Sequence, residues 1–194
     1  MKDINFINKI SVIEKNYSLF LIDLWGVIHN GIKIFPEILE VLRNLQKKKK
    51  EIIFITNAPR RALVIENQLT EFGINRKLYS RVISSGEITW RYLFEKFRDK
   101  NVNILHIGPP RDNHLIDGLN YKKVSKPEEA EIIVNTGPWG DNDKLENYKN
   151  ILDQSLNNKL PMICSNPDKE VIRGDKFMIC AGKLAEYYEK NGGA

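Results

Sequence analysis

Leu19-Phe20-Leu21-Ile22-Asp23-Leu24-Trp25-Gly26-Val27 decides the fold of this 194-residue chain. Four apolar residues stop at a carboxylate, and a glycine follows three positions later. The pattern predicts a buried β-strand that delivers one acid to its C-terminal tip, where open α/β sheets bind ligands. A helix cap or turn is the plainer role for such an aspartate, but Gly26 argues against a helix starting there. A second run, Ile52-Ile53-Phe54-Ile55, ends in Thr56-Asn57. Two such strands side by side would present a carboxylate, a hydroxyl and an amide at one sheet edge. That set suits phosphoryl chemistry: a nucleophile beside neutral donors for phosphate oxygens. Taken alone, Thr56-Asn57 serves equally well as a strand-to-helix cap ahead of Pro59.

The surrounding sequence repeats the alternation. A lead-in helix is expected over 4–14. Pro36 suits the first position of a helix whose stripe is Ile38, Leu39, Val41, Leu42 and Leu45. Pro59 opens another, with Leu63, Ile65, Leu69 and Phe72 on one face and Gly73 as its stop. Val82-Ile83 is a short third strand before Ser84-Ser85-Gly86-Glu87. Strand, helix, strand, helix, strand is the grammar of a parallel sheet. A long helix over 87–100 then leads into a second α/β pattern. Its strands are expected at 103–107, 131–135 and 162–164, and its helices at 143–157 and 184–190. The domain boundary is expected near Ser85. Gly192-Gly193 reads as a turn into a further strand, so the chain is expected to be C-terminally incomplete; a frayed tail is the alternative.

Composition narrows the function classes. Hydrophobic residues make up 42% and charged residues 28%, ordinary for a globular protein. No apolar run approaches the roughly 20 residues needed to span a bilayer. The N-terminus lacks the apolar stretch of a signal peptide. Cys164 and Cys180 sit in apolar runs at no metal or redox spacing, which predicts buried thiols and a cytoplasmic protein. The net charge of +5 raises nucleic-acid binding as a function. Acids and bases are interspersed, however, and no aromatic interrupts Lys47 to Lys50, so that run is expected to be a solvated helix end.

These stretches together resemble the haloacid dehalogenase (HAD) superfamily of aspartate-nucleophile phosphohydrolases. Phe20 to Gly31 resembles its first motif, and Pro36 to Asn57 its second. The Ser84-Ser85-Gly86-Glu87 turn followed by an inserted α/β unit resembles the class IIA branch of nitrophenylphosphatase and nucleotide-monophosphatase relatives. Asn166-Pro167-Asp168, Cys180-Ala181-Gly182 and Leu184-Ala185 resemble that branch's return segment. The resemblance implies an α/β fold, with a Rossmann-like core carrying a C2-type α/β cap. Residues 1–85 would be the N-terminal part of the core, 86–180 the cap and 181–194 a return helix. The third and fourth motifs, a lysine and acidic metal ligands, would lie beyond Ala194.

The same resemblance implies a Mg²⁺-dependent phosphatase acting on a small phosphorylated metabolite, inactive as this chain alone. It involves neither nucleic acid nor membrane, and it allows a homodimer. Asp23 would be the nucleophile forming an aspartyl phosphate, and a metal ligand together with the Trp25 carbonyl. Thr56 and Asn57 would bind the phosphoryl group, and Asn166 and Asp168 the substrate where the cap returns. One departure matters: the family's phosphatases carry a second aspartate as general acid and base at the position of Trp25. An indole only donates. A slow phosphatase favouring good leaving groups follows, unless another group supplies the proton. His29 is the nearest candidate and is otherwise a plain loop residue. Arg111, Asp112, His114 and Trp139 are candidate lid contacts or ordinary surface residues, and His106 is expected to be a packed strand histidine. Two other functions stay open: a phosphate-ester-binding module without turnover, and a dehalogenase, suggested by the aromatic at Trp25.

Overall fold

The computed structural model describes residues 6–173 and 175–194. Of the expected lead-in helix, residues 4 and 5 lie outside the described residues. The rest forms two short 3₁₀ turns, Ile10–Val12 and Glu14–Asn16. A tertiary ion pair overrides the helical pattern there: Glu14 is nearly buried and holds Lys48 at 2.5 Å, at the end of the first helix.

β1 (Leu19–Asp23), β2 (Glu51–Thr56) and β3 (Arg81–Ser84) form a three-stranded sheet in that order. β1 and β2 are parallel, with Asp23 level with Ile55. Between them runs α1 (Ile38–Lys47), and α2 (Ala62–Glu71) follows β2. Phe20, Ile52, Phe54 and Val82 are buried, whereas Leu19, Leu21, Ile55 and Ile83 are exposed. The expectation of fully buried strands is corrected here. Successive side chains point to opposite faces of a strand, and only one face of this sheet is covered among the described residues. Asp23 belongs to the uncovered set and is exposed.

α3 (Ser85–Phe97) leads to the second sheet. Its strands are β4 (Val102–Ile107), β5 (Tyr121–Val124), β6 (Ile132–Asn135) and β7 (Met162–Cys164), all parallel in the order β5-β4-β6-β7. α4 (Lys149–Asn157) precedes β7. An antiparallel hairpin, β8 (Glu170–Arg173) and β9 (Lys176–Ile179), leads into α5 (Ala181–Lys190). Period-2 alternation sorts this sheet's residues into two cores. Val102, Ile104, Ile132 and Val134 pack with Leu93 of α3 and with Leu115 and Ile116. Leu105, Ile107 and Ile133 pack with Tyr148 and Leu152 on one side of α4, and with Leu184 and Tyr188 of α5. β5 and the hairpin escape prediction because Tyr121-Lys122-Lys123-Val124 is polar and short.

The chain divides into two compact units, Met1–Ile55 with Glu66–Val82, and Thr56–Ile65 with Ile83–Ala194. The short segment after β2 is therefore packed with the second unit. Ser84 caps α3 by accepting from the Glu87 N–H at 3.1 Å, and its hydroxyl donates to the Arg60 carbonyl at 2.6 Å. Gly86 touches the same backbone: a Cβ there would lie 2.2 Å from the Arg60 nitrogen. Glu87 then accepts from Arg61 Nε at 2.7 Å and from the Ala62 N–H at 3.3 Å, so it caps the start of α2. Burial pushes its pKa up, but these two donors outweigh that and hold it below the ordinary glutamate value. Glu87→Gln is expected to cost about 1.5–3 kcal/mol near neutral pH, the range for hydrogen bonds to a charged group. The difference from wild type should be full above the ordinary carboxylate pKa. It should shrink as pH falls below that value and vanish beneath the native one, as urea denaturation at several pH values will show.

Candidate functional site

Asp23 stands at the tip of β1, where the sequence placed it. Its Oδ1 accepts the Leu24 N–H at 2.8 Å, which orients the carboxylate within its own turn. The chain then folds tightly back: Gly26 N–H donates to the His29 carbonyl at 2.8 Å, and both Ile28 and His29 donate to Leu24. Trp25 lies over this loop. Its ring meets His29 edge-on at 5.7 Å, and Gly31 has φ +84° with no room for a side chain, since a Cβ would lie 2.3 Å from the indole. The indole is thus fixed by packing. His29 is 4% exposed, tilted against Phe72 at 5.2 Å, and its Nδ1 accepts the Gly31 N–H at 3.0 Å. A neutral imidazole accepting at Nδ1 carries its proton on Nε2. Its burial favours the loop-residue role over that of a proton donor.

Thr56 ends β2, one residue past the partner of Asp23. Its hydroxyl accepts the Ala58 N–H at 3.2 Å, a local turn bond. Asn57, Asn166 and Asp168, distant in sequence, are brought together. Asn57 Nδ2 donates to Asp168 Oδ1 at 3.1 Å, and the Asp168 N–H donates to Asn166 Oδ1 at 2.9 Å. Asn166 is buried, whereas Asn57 and Asp168 are exposed. The Gly182 N–H also donates to the Asp168 carbonyl at 2.9 Å, which ties the start of α5 to this loop.

The candidate lid residues separate. Asp112 is 2% exposed and faces Arg60 Nε at 3.6 Å, an ion pair without a hydrogen bond. Burial pushes its pKa up against the pull of Arg60. His114 Nδ1 is 2.7 Å from the Arg111 carbonyl, and its Nε2 accepts the Arg61 N–H at 3.2 Å, so the ring links this turn to the segment after β2. Arg111 reaches Asp141 at 3.5 Å. His106 is a packed histidine, as expected: it lies between Thr136 at 2.9 Å and Asn113 at 3.2 Å, and burial lowers its pKa to about 4. Cys180 is buried and Cys164 partly so; both thiols are free, and burial raises both pKa values, that of Cys180 to about 11. Sequence reasoning missed Arg60, Asp141 and Arg173. The adjacent pair Arg60-Arg61, just past the tip of β2, was the available signal.

Among the described residues no three His, Cys, Asp or Glu side chains cluster to hold a metal ion, and no helix is long and apolar enough to cross a membrane.

Residues 20–122 match the family model of haloacid dehalogenase-like hydrolases. No curated protein matches the sequence. Among solved structures, a haloacid dehalogenase-like hydrolase from Brucella suis is 33% identical with a TM-score of 0.87; the match covers 97% of this chain and 68% of that one. A possible sugar phosphatase of the HAD superfamily from Cytophaga hutchinsonii is 18% identical with a TM-score of 0.76, covering 95% and 67%. A 4-nitrophenylphosphatase from Thermotoga maritima is 20% identical with a TM-score of 0.67, covering 92% and 66%. This chain thus spans about two thirds of the length of each. The last two share the fold, an α/β architecture with parallel sheets. With over half its length matched by the family model and a one-third-identical structural relative, the chain belongs to the haloacid dehalogenase-like hydrolases.

Proposed function

We propose that this chain carries the nucleophile of a Mg²⁺-dependent phosphoric monoester hydrolase acting on a small phosphorylated metabolite. One observation carries the proposal: an exposed carboxylate, Asp23, at the C-terminal tip of a parallel strand, held by its own backbone. The domain scheme of core over 1–85, cap over 86–180 and return helix over 181–194 is part of the same proposal. So is a reducing, cytoplasmic location, which the two free thiols favour.

In this mechanism a carboxylate oxygen of Asp23 attacks phosphorus and the ester P–O bond breaks. The leaving oxygen departs with the bonding electrons and takes a proton from solvent water. Water then attacks phosphorus, returns the Asp23 carboxylate and releases inorganic phosphate. Thr56 donates its hydroxyl to a phosphoryl oxygen while its oxygen still accepts the Ala58 N–H. Asn57, Asn166 and Asp168 form a polar group for the substrate. The Asp23 carboxylate and the Trp25 carbonyl are hard oxygen donors of the type Mg²⁺ takes, and they make up part of such a set. The ion, when bound, offsets the repulsion between two anions. Trp25 supplies no proton, so the leaving oxygen depends on its own stability.

In a protein that carries this chain together with the family's lysine and acidic motifs, incubation with 4-nitrophenyl phosphate and Mg²⁺, followed by borohydride reduction and peptide mass spectrometry, should convert Asp23 to homoserine; Asp23→Asn should abolish the product. Binding of the ester without modification of Asp23 would instead indicate a binding module, and halide release from a haloacid a dehalogenase.

Turnover should also depend steeply on the leaving group. Aryl phosphates should exceed alkyl phosphates by more than in relatives with an acid at this position. Trp25→Asp should raise alkyl phosphate turnover by about 10²-fold, the lower end of general acid help. Equal rates for both ester classes in the wild type would contradict the assigned role of Trp25.

A further inference from the structure

The second sheet has a topological switch point. From β4 the chain turns to β5 on one side, through a 3₁₀ segment that packs with Leu93. From β6 it turns to β7 on the other side, through α4 against the opposite face. The connections after β4 and β6 therefore diverge outside the carboxyl ends of these two strands, the crevice position at which open α/β sheets bind ligands.

The loops at this crevice carry a concentrated set of charges. Arg111 and Asp112 follow β4, Asp141 follows β6, Arg173 ends β8, and Arg60 comes from the segment packed on α3. Arg111 and Arg173 share Asp141, each through one contact of 3.5 Å, to opposite carboxylate oxygens. Arg60 faces the buried Asp112 at 3.6 Å, and Asp112 Oδ1 has no hydrogen-bond partner. Each guanidinium has five N–H donors in a planar fork. Among the described residues these three guanidiniums donate only the two long bonds to Asp141. Three cations therefore face two anions with most of their donors unspent. Burial, together with the charges of Arg111 and Arg173, disfavours the charged form of Arg60 despite Asp112, as expected where one more anion is wanted.

The scaffold under these side chains is rigid. The buried Tyr148 hydroxyl donates to Asp143 and accepts the Trp139 N–H, while Asp143 also accepts the Gly140 N–H at 2.9 Å. The loop that carries Asp141 is thereby pinned from below. On the other side, His114 ties the Arg111 turn to Arg61. Pre-positioned forks of this kind recognise planar or tetrahedral oxyanions through paired hydrogen bonds.

We propose that this crevice is an oxyanion-binding site, with Arg60, Arg111 and Arg173 taking a carboxylate or phosphate group of a small ligand and Asp141 holding the forks in the ligand's absence. The site lies wholly within the second unit and stands independently of the role of Asp23.

The test is NMR titration of the 194-residue chain, without divalent metal, with inorganic phosphate and separately with malonate, following the arginine Nε–Hε signals. Saturable shifts at Arg60, Arg111 and Arg173 are expected; preference for one probe identifies the group as phosphate or carboxylate. Arg111→Gln with Arg173→Gln should weaken binding by about tenfold or more. Asp141→Asn should tighten it, a gain that a folding defect would not produce. Failure of both probes to shift these signals overturns the site, as does unchanged affinity in the double variant. Shifts confined to the backbone around 23–26 and 56–58 would also overturn it, while leaving the proposed phosphatase chemistry standing.

Discussion

The Glu87 carboxylate is the anchor on which the arrangement of polar groups rests. It takes the Arg61 side chain and the first free N–H of α2, while Ser84 and Gly86 lock the Arg60 backbone from the same turn. Three short-range constraints thus fasten six residues after β2 to the start of α3. That is why the compact units divide just after Ile55 rather than at a loop. Asn57 and Arg60 belong to this fastened segment. One meets Asp168 and the other Asp112, so the segment supplies polar groups to two separate loops of the second unit.

The loop after Asp23 follows a different logic. It is stabilised from within, by backbone bonds to Leu24 and by the stacking order of Gly31, Trp25, His29 and Phe72. A residue of the size of tryptophan at this position needs a glycine beneath it. The identities of Trp25 and Gly31 are therefore coupled by volume. The same packing buries His29 against Phe72.

Much of the architecture was legible because apolar runs with sharp polar ends leave few alternatives. β1 spans the predicted Leu19–Asp23 without change, and β7 the predicted 162–164. Helix starts were less legible: α2 begins at Ala62 rather than near Pro59, because its first N–H is capped by a side chain 25 residues away. β5 and the β8–β9 hairpin were missed because exposed edges and two-stranded ribbons do not need long apolar runs. The oxyanion crevice was illegible for a related reason. Its residues come from four separated loops, and none carries a motif.

Taken by itself, the sequence determined most of the strands and helices and the residue at the tip of β1, since these follow from hydrophobic period and local turn chemistry, while the family was read from a resemblance to known motifs. Only the tertiary structure decided which polar groups meet. The pairing of Asn57 with Asp168, of Arg60 with Asp112 and of Arg111 with Asp141 spans 111, 52 and 30 residues. Such pairings depend on strand order and on where each loop emerges, and no local pattern of residue types encodes them.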